Sequence, residues 1–249
     1  MIESGEARKY ILYAVGEISL VVIGILIALQ VNNWNTQSQN KKKLVSYLQS
    51  IEANIGDDIK QLQTLQISLD SMHIQSYQAM MILEKSTFTF DEAMRLYNSL
   101  VKAFELEEFN CNKHGFESFK ISGLLDLIQG TDLERLLFDY YKMTDLIAHK
   151  EIRWNTYTQE MQVDIMKSEY TPQWVKNNMR VYNNPALLTD PVIGKQVQAV
   201  LKGFFSRPAI YALYTKTMGD TELGGIYNET IEIGQQILSE IHTQKSHND

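Results

Sequence analysis

The chain has 249 residues, 21% of them charged, and a net charge of −7. Acidic and without a basic stripe, it is a poor nucleic-acid binder, so no nucleic-acid partner is expected. A lone cysteine, Cys111, rules out an intrachain disulfide, and all four prolines lie from Pro172 onward, which leaves the first two thirds free to form long helices.

Residues 1–9 read as a short polar tail with no lipidation pattern, expected on the cytoplasmic side. From Tyr10 to Val31, 22 residues are nearly all apolar. As a helix rising about 1.5 Å per residue they span roughly 33 Å, enough for a hydrocarbon core of about 30 Å. Asn32, Asn33 and Asn35 end the run. Tyr10 and Tyr13 stand where interfacial aromatics belong at one end, and Trp34 does so at the other. The run is long for a secretory signal core, and no small-x-small cleavage pattern follows it. Residues 10–34 are therefore expected to form a retained transmembrane helix.

Glu17 lies about two turns inside this run. A carboxylate at such depth costs about 2–3 kcal/mol or more unless it is neutralised, paired or able to reach the interface. Tyr10, Ala14, Glu17, Val21, Gly24, Ala28 and Val31 follow a spacing of three and four and share one helix face. Gly24-x-x-x-Ala28 is a small-xxx-small pair, which lets helix backbones approach closely in lipid. The pattern predicts a homo-oligomer joined through this helix, with Ala14, Glu17, Val21, Gly24 and Ala28 as assembly or ion-pathway residues. The plainer alternative leaves Glu17 near one end, reaching the head groups.

The flanks are nearly balanced in charge, with Arg8 and Lys9 before the run and Lys41, Lys42 and Lys43 after it. The Arg-Lys pair against the run favours an N-terminus in the cytoplasm and a domain on the far side of the membrane, which for a bacterial chain means the inner membrane and the periplasm. The lysine run suits the membrane interface, so membrane lipid is an expected partner. Residues 1–43 sum to +2 and the remainder to −9.

Residues 35–43 form a juxtamembrane linker with no Pro or Gly, so the helix can run on. Leu44, Leu48, Ile51, Ile55, Ile59, Leu62, Leu65, Leu69 and Met72 then step by three and four, which predicts an amphipathic helix ending near Lys85. Joined to the apolar run, it makes a rod of about 70 residues, roughly 110 Å long. Asp57-Asp58 falls on its expected solvated face. Residues 86–90 break the pattern, and Asp91 reads as the N-cap of a helix through about Glu108. Glu105, Glu107 and Glu108 read as a solvated cluster at its end. Residues 110–115 are a loop, in which Cys111 and His114 are spaced as C-x-x-H, but two ligands do not make a zinc site.

Phe116, Phe119, Ile121, Leu124, Leu125, Leu127 and Ile128 surround Ser122-Gly123, predicting a short helix, a glycine turn and a buried segment. Thr131 or Asp132 caps a helix running to about Tyr170, expected antiparallel to the 44–83 helix. Pro172 stops it or starts a short turn. Asp190-Pro191 opens a helix over residues 192–205, and Arg207-Pro208 is a joint. A final helix covers Ile210 to Ile241, with a possible break at Gly224-Gly225, and residues 242–249 form a flexible tail. The expected architecture is all-α: one N-terminal transmembrane helix followed by an elongated antiparallel helical bundle over residues 44–241, with no hairpin signal and no internal repeat.

Two stretches, KYILYAVGEISLVVIGILIALQVNNWN and GFESFKISGLLDLIQGTDLERLLFDYY, resemble an uncharacterised family of bacterial single-span membrane proteins found mainly in Bacteroidota. The resemblance spans most of the chain and implies an N-terminal transmembrane helix, a helical extramembrane domain and a turn joining two helices in the second block. It implies no activity.

The chain contains no G-x-S-x-G, P-loop, H-E-x-x-H or G-x-G-x-x-G pattern. No catalytic, cofactor-binding or metal-binding residues are expected, and no enzyme. Tyr140, Tyr141 and Trp154 fit core packing better than a ligand cleft. Three functions remain. The first is a membrane-anchored, homo-oligomeric interaction or sensory protein with an unidentified protein partner. The second is an oligomeric ion channel with Glu17 in the seam, where acidic rings select cations. The third is a plain envelope scaffold.

Overall fold

The computed structural model describes the backbone of residues 4–104, 108–219 and 221–246, with side chains from Leu12 to Gln244 within those ranges. Among the described residues there are α-helices and two short 3₁₀ turns, and no strand. The first helix, α1, runs unbroken from Ser4 to Leu83. At about 1.5 Å per residue its 80 residues extend for roughly 120 Å. The polar tail from residue 4, the apolar run, the linker and the amphipathic stretch are thus one helix, because neither Pro nor a glycine turn interrupts them.

Beyond Tyr47, the three-and-four spacing of α1 buries one stripe and supports two successive apolar cores. Leu48, Ile51, Ile55 and Leu62 meet α3 (His114–Ile121), α4 (Asp132–Met166) and α8 (Glu222–Ser246). Farther along, Ala79, Ile82 and Leu83 meet α2 (Phe90–Ala103), α5 (Thr171–Asn183), α6 (Ile193–Phe205) and α7 (Pro208–Gly219). Trp174 stacks on Phe204 at 4.4 Å in this second core.

The direction of α4 differs from the expectation. Tyr140 reaches Asp58, while Trp154 and Asn155 share a cavity wall with Leu65, Leu69 and Met72. Residue numbers on α1 and α4 therefore rise together, and the two helices run parallel. The reason is the short α3. It descends α1 from Asn54, which accepts from the Gly115 amide, to Tyr47, whose ring lies 5.9 Å from that of Phe119. Gly123 and Gly130, at φ 73° and 74°, then reverse the chain, and α4 climbs in the direction of α1. The antiparallel partner is α8, which packs closely on both helices. Its Gly224 lies beside Gln66 and Leu69, its Gly234 beside Ile55 and Ile59, and its His242 is 3.3 Å from Glu52.

Several boundaries also move. Thr89, not Asp91, caps α2 through a capping box: its hydroxyl accepts from the Glu92 amide at 3.2 Å, and Glu92 accepts from the Thr89 amide at 2.9 Å. The helix stops at Ala103, and Glu105 and Glu107 lie outside the described residues. Thr131 caps α4, accepting from the Glu134 amide at 3.3 Å. That helix ends at Met166, and Pro172 opens the 13-residue α5 rather than a short turn, because proline needs no hydrogen bond in a first turn. The final stretch divides between Gly219 and Glu222, so Gly224-Gly225 lies inside α8, which continues to Ser246 instead of fraying at His242.

Candidate functional site

The first candidate is the surface that the fold leaves bare. Every side chain from Leu12 to Trp34 is exposed, with Tyr13 at 78% and Trp34 at 72%. This part of α1 is long and apolar enough to cross a membrane. Helical geometry puts Ala14, Glu17, Val21, Gly24 and Ala28 on one face, and all five are exposed. Open space surrounds the position a Gly24 side chain would take. Glu17 hydrogen-bonds no described residue. The chain thus brings these residues onto one stripe, and no described residue outside α1 packs against it. The side chains of Tyr10, Arg8 and Lys9 lie outside the described residues.

Lys41, Lys42 and Lys43 are exposed three turns beyond the apolar run. Lys41 and Lys42 border an open groove with Val45, Leu127 and the end of α8 at Thr243.

The second candidate was hidden in the sequence. Asp58, expected on a solvated face with Asp57, is only 3% exposed. It accepts from the Asn112 amide at 3.0 Å, the Tyr140 hydroxyl at 3.2 Å and the Cys111 thiol at 3.3 Å. Its neighbour Asp57 points outward and pairs with Lys60 at 2.8 Å. On α4, Glu151 is equally buried and accepts from the Phe109 amide at 3.0 Å and the Tyr227 hydroxyl at 2.5 Å. Asn155, one turn on, donates to Glu108 at 2.8 Å. Two buried carboxylates from two parallel helices thus hold the 108–112 loop onto the core. Their charge argues for a polar face, yet both stand in register with the buried stripes: Asp58 lies three residues after Ile55 and four before Leu62, and Glu151 four after Ile147 and three before Trp154.

Burial raises the carboxyl pKa of Asp58, against the opposing pull of its hydrogen bonds, and does the same for Glu151. Burial and the neighbouring Asp58 charge push the Cys111 thiol up to about 12, which removes its nucleophilic form at neutral pH. His114 is exposed and its backbone amide is capped by Asn112, whereas the Cys111 thiol is half-buried and turned to Asp58. Tyr140 and Tyr141 are buried, and Phe116 stacks on Tyr141 at 4.2 Å. A cavity of about 40 Å³ beside Glu151 and Tyr227, walled by Trp154, Lys102 and Leu69, has room for about one water. The chemistry of this arrangement is clamping: Asp58 accepts from three donors and Glu151 from two, all supplied by the chain itself.

An all-helical chain with one uncovered, apolar N-terminal helix is therefore the class that fold and surface define. Residues 17–99 match a family profile described as a family of unknown function (DUF6090). The match covers most of the apolar run, the rest of α1 and most of α2, and it stops short of the second motif at 115–141. No curated protein and no solved structure matches the chain.

Proposed function

We propose that the protein is a membrane-anchored helical interaction or sensory protein that self-associates through residues 10–34. The observation that carries this reading is the complete exposure of residues 12–34 in an otherwise folded chain. A contiguous apolar surface of this size is stable in lipid or against another helix and not in water. The small residues Ala14, Gly24 and Ala28 favour close helix pairing, which places Glu17 in the seam between copies. The helices beyond residue 44 form an extramembrane bundle that offers its surface to a protein partner. The domain faces the periplasm of the inner membrane, with Arg8 and Lys9 holding the N-terminus in the cytoplasm. Both buried carboxylates are engaged in holding a loop, which fits a non-catalytic role.

Native mass spectrometry of the full chain, extracted gently with lipid, tests the assembly. A dimer or trimer supports an anchored sensor or adaptor. A monomer overturns self-association, and resistance to carbonate extraction then tests the anchor alone. A ring of five or more copies favours the channel instead, and conductance recordings of Glu17→Gln in planar bilayers then decide it.

A further inference from the structure

Ile121 is 85% exposed and Leu127 is 47% exposed, although both belong to the apolar cluster that the sequence marks as core. Their neighbours Phe116, Phe119, Leu124 and Ile128 are buried as expected. The two exposed side chains sit at opposite ends of the α3–α4 turn, the lowest point that α3 reaches on its way down α1. Phe119 is level with Tyr47, and Leu127 shares a groove with Ser38, Lys41, Lys42 and Val45. From Trp34 to Ser38 the axial rise is only about 6 Å, and from Trp34 to Leu44 about 15 Å. The polar layer of a bilayer adds about 5–8 Å on each side of its hydrocarbon core.

We propose that the α3–α4 turn is a second membrane contact, in which Ile121 and Leu127 rest in the head-group layer of the bilayer that holds α1. The occupant is an anionic phospholipid surface. This rests on the anchoring of α1 proposed above.

Charge and position support it together. The chain beyond residue 43 sums to −9, yet Lys41, Lys42 and Lys43 gather at this end. Glu240 lines the same groove, and the turn itself carries Asp126, Asp132 and Glu134; Asp132 is paired with Arg135 at 3.2 Å, Glu134 accepts from the Gly130 amide at 2.7 Å, and Lys120 is paired with Glu117 at 2.9 Å. Lys41, Lys42 and Lys43 are the first charged side chains beyond the apolar run along α1, and as a cluster nearest the bilayer they attract anionic head groups within a Debye length, while the acidic domain beyond is repelled. That opposition fixes which end lies down. Spanning helices tilt by about 20° on average, and a tilt toward the turn lowers Ile121 and Leu127 into the interface. The continuous helix through residues 35–43 transmits that tilt to the whole domain, so that lipid composition sets its angle.

The test uses the full chain in nanodiscs, with Cys111→Ser and one new cysteine carrying a fluorophore. The positions are Ile121→Cys and Leu127→Cys, with Leu26→Cys for the anchor and Met179→Cys, 64% exposed on α5 at the far end of the molecule, as the aqueous control. The expected result with phosphatidylglycerol present is strong quenching by head-group nitroxide lipid at 121 and 127, several-fold above that at 179. Zwitterionic lipid alone, or joint replacement of Lys41, Lys42 and Lys43 by Gln, lowers it toward the control. Labels at 121 and 127 that behave like 179, while the label at 26 is quenched by acyl-chain nitroxide, overturn this proposal and leave the anchor standing. No quenching at 26 overturns the anchor and this contact with it.

Discussion

Asp58 of α1 accepts a hydrogen bond from the Tyr140 hydroxyl of α4 at 3.2 Å, across 82 positions of sequence. The contact fixes the register of two parallel helices and, through Cys111 and Asn112, the loop that lies over them. Removing the carboxylate leaves three donors without their partner in a largely buried site. Asp58→Ala is expected to destabilise the fold by roughly 1–3 kcal/mol, measured by urea unfolding. Asp57→Ala, one residue away and exposed, should change stability little.

The raised pKa of Asp58 has a definite sign in a pH titration. A carboxyl that holds its proton more tightly when folded stabilises the fold below the unfolded value, about 3.9, and loses that contribution as pH rises through the folded value. Glu151 acts in the same direction. Stability is therefore expected to gain from these two groups as pH falls through their raised folded values toward their unfolded ones, and Asp58→Asn should flatten that gain. The carboxyls of Glu92 and Asp190 are held low by hydrogen bonds, so their contributions are lost only as pH falls through their folded values. An Asp58→Asn profile as steep as that of the parent protein would refute the assignment.

Gly115 approaches α1 closely enough that an added Cβ would lie 2.7 Å from Asn54 Oδ1 and 3.1 Å from the Ile51 amide nitrogen. Gly115→Val should push α3 off α1 and cost about 1–3 kcal/mol by overpacking. Thermal unfolding would register it, and a neutral result would mean that α3 sits more loosely.

At the far end, the Gln198 amide pairs with both backbone groups of Phe88, at 2.9 Å to its nitrogen and 2.6 Å to its oxygen. Lys202 donates to the carbonyl oxygens of Leu83 and Lys85. Together they hold the exit from α1 against α6. Gln198→Ala should cost about 1 kcal/mol and raise amide hydrogen exchange at residues 84–89.

In the apolar helix, Gly24→Ile places a branched side chain where the seam requires a small one. The expected outcome is weaker association of the anchor segments in a membrane two-hybrid or resonance-energy-transfer assay. Val22→Ile, off the stripe, serves as a control and should leave association intact.

Periodicity by itself determined the long helix, its bare apolar half and the stripe of α1 that carries both cores, because these depend only on residue spacing within one helix. The start of α4 was legible to within one residue for the same reason, a cap acting on amides two or three residues away, and Asp190 does accept from the Val192 and Ile193 amides at the start of α6. The direction of α4, the helix opened by Pro172 and the break between Gly219 and Glu222 were not legible. A helix of eight residues such as α3 carries little periodic signal, yet it decides whether everything after it runs up or down α1. Spacing does separate Asp58 from Asp57, since only Asp58 continues the stripe from Ile55 to Leu62, but its charge argued against burial. The donors that make that burial possible come from a loop more than fifty residues away, and only tertiary packing brings them there.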